Sequence, residues 1–168
     1  ECTQRCSSAA SDVCKRQASR FLTSLTRETP GLLPAARDEF TFVDVDDTII
    51  EVEGYLKQGA SFGYSGVRGL NAVLAVASTK DSAPVVLTQR LRKGATSSAR
   101  GAKRVVGDAL AQLGRMSGAP DRRVLVRADA ADSSPTVARA AMAGGADVSV
   151  TVRLNPSIQR AIETISDH

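Results

Sequence analysis

Hydrophobic and polar positions along this chain change period several times, and each change marks an element. The apolar run from Phe40 predicts a first core strand from Thr41 to about Asp46, continued after a kink through Ile49, Ile50 and Val52. Leu70 to Ser78 and Pro84 to Leu91 predict two further strands, joined as a hairpin through Lys80-Asp81-Ser82. From Ser97 to Met116 the spacing turns helical, with Ala102, Val106, Ala109, Leu110 and Leu113 on one face. After a loop through Gly118 and Pro120, Val124 to Ala128 is strand-like. Ser134-Pro135 then offers an N-cap and a first-turn proline for a short helix that stops at Gly144-Gly145. Val148 to Leu154 predicts the last strand, and Pro156 to Ile165 starts another helix.

The segments outside this pattern read differently. Residues 1–38 are polar and helix-compatible, with a thin apolar stripe (Val13, Phe21, Leu22, Leu25) broken by Pro30-Gly31 and Pro34; they read as a leader or the remnant of an N-terminal domain. Gly54 to Gly69 interleaves glycines with Tyr55, Phe62 and Tyr64, which suits turns and close backbone approach. The predicted order is three strands, then helix, strand, helix, strand. A meander followed by crossovers implies a mixed α/β sheet of the RNase H-like order. On this reading residues 39–155 form a partial catalytic core and 156–168 the start of a truncated helix.

Composition narrows the class. A chain of 168 residues with 42% hydrophobic content supports one globular core. Lys and Arg number 22 against 18 acids, a net charge of +4 that favours a polyanionic partner. Arg90, Arg92, Lys93, Arg100, Lys103 and Arg104 fall in one stretch without an acid, which reads as a phosphate-facing surface. Cys2, Cys6 and Cys14 cluster at one end, and with His168 as the sole histidine neither a disulfide framework nor a zinc site is expected. No apolar run is long enough to span a bilayer and no signal-peptide core is present, so a cytoplasmic, nucleoid-associated protein is expected, with no membrane partner.

The candidate chemistry lies at two strand ends. Asp44 and Asp46, two apart on a strand, share a face, and Asp47 takes the other. Asp129 ends the strand from Val124, and the expected sheet order sets that strand beside the first. Crowded carboxylates raise one another's pKa unless a cation neutralises them. Mg²⁺, or Mn²⁺, suits such a site, because it accepts one or two carboxylates with waters and substrate phosphate oxygens. Asp132 is a further acid near Asp129.

Several blocks carry a family resemblance. Phe42-Val-Asp-Val-Asp-Asp-Thr-Ile-Ile-Glu-Val, Lys57-Gln-Gly-Ala, Phe62-Gly-Tyr-Ser-Gly-Val-Arg-Gly-Leu-Asn, Gln89-Arg-Leu-Arg-Lys-Gly, Arg127-Ala-Asp129 and Val148-Ser-Val-Thr-Val-Arg closely resemble insertion-sequence transposases of the DDE class, of the IS-thirteen-eighty type in the IS-four-like group. The resemblance implies an RNase H-like fold in which two aspartates and a distant glutamate bind two Mg²⁺ ions for DNA cleavage and strand transfer. It implies Asp46 and Asp129 as the two aspartates, Asp44 as a supporting acid, double-stranded transposon ends as partner, and a possible homodimer in the intact family. Arg68, Arg90, Arg92 and Lys93 would contact the transposon end. The chain departs from the family at three places. The glutamate's Tyr/Arg/Glu/Lys signature is absent, Ala130-Ala131-Asp132 replaces the usual Ser-Ala-Phe, and Glu53 stands where histidine is common. A truncated transposase with little activity by itself is therefore expected.

A second reading remains open. Asp44-Val-Asp46-Asp-Thr48 also fits the Asp-x-Asp-x-Thr element of haloacid-dehalogenase-like phosphatases, with Asp44 as nucleophile, Asp46 as acid/base, Thr88 on phosphate and Asp129 on Mg²⁺. That fold is doubly wound and needs a helix between its first two core strands, where this sequence has glycine loop and strand.

Overall fold

The computed structural model describes residues 8–34, 40–54, 56–63, 65–97, 100–116, 123–129, 135–152 and 154–165. Its order is α1 (Ser8–Glu28), a 3₁₀ turn (Pro30–Leu32), β1 (Thr41–Glu51), β2 (Ser61–Phe62), β3 (Arg68–Ser78), β4 (Val85–Lys93), α2 (Ala102–Met116), β5 (Val124–Ala128), α3 (Pro135–Ala143), β6 (Asp147–Val150) and α4 (Pro156–Glu163). One six-stranded sheet contains every strand among the described residues. β1 lies at its centre, antiparallel to β3 on one side and parallel to β5 on the other. β4 pairs antiparallel with β3, and β6 parallel with β5. The path β4-β3-β1-β5-β6, with β3 alone running opposite, is the mixed RNase H-like order expected from the sequence. It is not doubly wound, because β1 passes to β2 and β3 without a helix among the described residues.

Alternation along β1 decides which face is covered. Thr41, Val43 and Val45 are buried, while Phe42, Asp44 and Asp46 are half-buried or exposed. Val43 pairs with Val126 and Val45 with Ala75 and Ala128, and these residues form the sheet side of the core. Val105, Val106, Ala109 and Leu113 of α2, with Val137 and Ala141 of α3, cover them. Each fully buried valine contributes about 1.5–3 kcal/mol. The alanines facing the helices let helix and sheet approach closely.

Three elements differ from expectation. β1 runs as one strand with no kink, because its ladder with β3 is unbroken from Phe42↔Ser78 to Glu51↔Gly69. The glycine-rich segment contains the short strand β2, which pairs with the start of β3 beyond the end of β4. The last strand stops at Val150 rather than Leu154, since its partner β5 ends at Ala128. The N-terminal segment, which reads as polar from sequence, packs on the rest of the chain: Leu22 and Leu33 join the core, and α1 docks on α2 through Gln112. Gln112 is 1% exposed, donates to the Ser19 carbonyl and Thr23 hydroxyl, and accepts from the Ser19 hydroxyl and Arg115. No helix among the described residues is long and apolar enough to cross a membrane.

Candidate functional site

The site follows from where β5 ends. Val45 pairs with Ala128, the last residue of β5, so Asp46 is the first residue of β1 without a strand partner on that side among the described residues. Asp129 follows Ala128 directly, just past the paired residues. Asp44 and Arg127 meet side chain to side chain; Asp46 lies two residues beyond Asp44 on the same face of β1, and Asp129 two residues beyond Arg127, just past the end of β5. Both are exposed. Asp46 Oδ1 accepts the Asp47 N–H at 2.8 Å, which orients the carboxylate.

The neighbouring rung is an ion pair. Arg127 Nε donates to Asp44 Oδ1 at 2.5 Å and its second terminal nitrogen to Oδ2 at 2.7 Å, while the guanidinium stacks 4.4 Å from the Phe42 ring centroid. Arg123 stacks likewise on Phe40 at 4.1 Å. The hydrogen bond that Arg127 donates to Asp44 holds the Arg127 pKa above its ordinary value, against a smaller opposing effect of burial. A raised basic pKa stabilises the fold at all pH below the unfolded value, so this contribution is constant near neutrality and is lost only in strong alkali. Sequence reading passed over Arg127 as a site residue; its place two before Asp129, matching Asp44 two before Asp46, was the available signal.

Asp47 turns to the helical face, as the period of two requires, and there it is structural. Its Oδ2 accepts from Arg92 at 3.0 Å and from the Asn71 amide. Arg92 was expected on a DNA-facing surface, and the structure corrects this. Its residue is 9% exposed, and it donates to Asn71 Oδ1 and to the carbonyls of Arg100 at 2.6 Å and Ser97 at 3.2 Å, tying β4 to the approach of α2. Arg68 donates to the carbonyls of Gly54 at 2.7 Å and Val52 at 3.3 Å, so it braces the glycine segment. Arg90 is half-buried against Gly101. Lys93, Arg100, Lys103 and Arg104 are exposed, with Arg104 3.8 Å from Asp108. Lys93 pairs with Leu70, itself opposite Ile50, which puts it on the face of Asp46. Arg100, Lys103 and Arg104 sit at the start of α2, on the helical side of the sheet.

Gly63, Gly69 and Gly94 serve close packing. A Cβ on Gly94 would strike the carbonyl oxygens of Gly69 and Ser61, where β2, β3 and the end of β4 converge. Tyr55, Tyr64, Asp132, Cys2, Cys6 and His168 lie outside the described residues, and Phe62 is 68% exposed. The phosphatase constellation does not assemble. Both Asp44 oxygens are engaged by Arg127, and Thr88 pairs with Ala75, opposite Val45, so it lies two strands away on the other face.

As a donor set, the carboxylates of Asp46 and Asp129 fit a hard divalent cation that completes its shell with water or phosphate oxygens. No group of three or more His, Cys, Asp or Glu side chains arranged to hold a metal occurs among the described residues.

The chain matches no family model and no curated protein. Among solved structures it is similar to the Mos1 mariner transposase catalytic domain, at 14% identity over 90% of this chain and 71% of that one, TM-score 0.42. The catalytic domain of Mos1 transposase with Raltegravir and Mn gives 15% identity over 92% of this chain and 72% of that one, TM-score 0.43. The Mos1 transposase paired-end complex with left transposon end gives 15% identity and TM-score 0.40; the match covers 89% of this chain but only 52% of that one, about half its length. At such distances the strand order, rather than these likenesses, defines the fold.

Proposed function

We propose that this chain is part of the catalytic core of a DDE-type DNA transposase of insertion-sequence type, with Asp46 and Asp129 sharing a divalent cation. The observation that supports it is the β1–β5 register, which pairs Val45 with Ala128, the residues directly before Asp46 and Asp129. The sequence blocks around both aspartates support the same reading. A bound Mg²⁺ or Mn²⁺ would supply Lewis-acid activation of water or a 3′-hydroxyl and neutralise charge at a DNA phosphate. Asp46 and Asp129 would hold it; Lys93, Arg100, Lys103 and Arg104, all exposed, would hold the DNA backbone. The glutamate signature of the resembled family does not occur in this sequence, and on that ground we propose that the chain by itself binds DNA and cation without transferring strands.

Fluorescence anisotropy with duplex DNA tests this. With four phosphate contacts, affinity should fall roughly 100-fold between about 50 and 200 mM salt, and pre-cleaved transposon ends supplied with Mn²⁺ should not be joined to target. Salt-independent binding, or hydrolysis of a generic phosphomonoester lost in Asp44→Asn, would refute the proposal. Efficient strand transfer would refute its claim of inactivity.

A further inference from the structure

We infer that this chain pairs with a second copy of itself by exchange of α4, the apolar stripe of each copy's helix seating on the open face of β3 and β4 in the other. The sheet face opposite the core carries Ile50 on β1, Leu70, Leu74 and Val76 on β3, and Val86 and Leu91 on β4, neighbours across the ladder. None of these belongs to the core, and Leu91 is 58% exposed. Contiguous exposed apolar patches mark interaction sites. Helix α4 has the complementary surface. Ile158, Ala161, Ile162 and Ile165 recur at the spacing of one helical stripe, with Gln159, Arg160 and Glu163 off it. No residue of α4 is buried, and Ile162 and Ile165 are 54% and 72% exposed.

The link from β6 is too short to lay α4 along β3 and β4 of its own chain. The Thr151 N–H still donates to the Ala128 carbonyl, and from there the chain reaches Pro156, where α4 starts, over about 17 Å at full stretch. The midline of β3 and β4 lies about 17 Å across the sheet from β6, and a packed helix stands about 10 Å above it, so a helix laid there would start about 20 Å away. Wherever its own link can seat it, α4 begins over β5 and β1, where the face carries the charged side chains of Asp44, Asp46 and Arg127. A second copy has no such tether. Because each chain carries one helix and one patch, two reciprocal contacts close a two-fold dimer, and each need supply only half of the roughly 1,200 Å² that a specific interface buries.

Sedimentation equilibrium on the whole chain tests this, with circular dichroism melts confirming that each variant is folded. The parent should show a monomer–dimer equilibrium within about 1–200 µM, as suits an interface at the small end of the specific range. Ile162→Asp and Leu91→Asp should each weaken it at least ~10-fold, since symmetry places a charge in both contacts. Both side chains are exposed in the single chain, so neither melting temperature should fall by more than about 2 °C. An equimolar mixture of the two variants regains one intact contact, an unaltered helix on an unaltered patch, and should dimerise more tightly than either variant alone. Should Leu91→Asp not fold, Val86→Asp takes its place with the same expectations. A parent that stays monomeric, as it would if α4 closed on its own sheet, overturns the inference. So does a dimer indifferent to Ile162→Asp, or a mixture no tighter than its components, which is the behaviour of sheet packed directly on sheet.

Discussion

Asp46 and Asp47 are adjacent in sequence and opposite in role, and the pleat of one strand separates them. Asp46 faces solvent where the β1–β5 pairing ends, whereas Asp47 meets Arg92 and Asn71 beneath the helices. That division was legible in the sequence, because side-chain alternation follows from strand geometry alone. The fate of Arg92 was not. Its burial depends on the β3–β4 register, which sets it across from Asn71, and on the approach to α2 passing within reach of its guanidinium. With side-chain exposures of 5% for Arg92 and 19% for Asp47, loss of the arginine removes the guanidinium charge from a largely buried carboxylate. Arg92→Ala should therefore destabilise the fold by about 3–5 kcal/mol, read as a lowered urea midpoint, and should reduce DNA binding only through that unfolding. A stable Arg92→Ala protein with weakened DNA binding would return this residue to the nucleic-acid surface.

At the scale of elements, the long strands and α2 were legible because each carries many residues of one period. β2 was not: two residues, Ser61 and Phe62, are too few to show any period, and they become strand only by pairing with the start of β3. The glycines around it illustrate the same limit. Their density announces backbone crowding, but only the coordinates show that Gly94 is pressed against the Gly69 and Ser61 carbonyls. Gly94→Ala should accordingly cost about 1–3 kcal/mol by overpacking, measurable by thermal melting. A melting temperature equal to the parent's would mean that this junction yields more readily than the packing implies.

For the molecule as a whole, the sheet divides two tasks. One face carries the core under α1, α2 and α3; the other carries Asp44, Asp46 and Arg127. The strand order was readable in advance because crossover connections leave few topologies for this succession of elements. The segregation of the basic residues was not, since one stretch of sequence distributes them to a buried network, a half-buried contact, the acidic face and the start of α2. The central claim, that the β1–β5 register makes one cation site from Asp46 and Asp129, is tested most directly by Mn²⁺-soaked crystals and anomalous diffraction. The account predicts an anomalous peak about 2.1–2.3 Å from an oxygen of each carboxylate, lost in Asp46→Asn. A peak elsewhere on the chain, or the two carboxyl groups ordered too far apart for one ion to touch both, would contradict it.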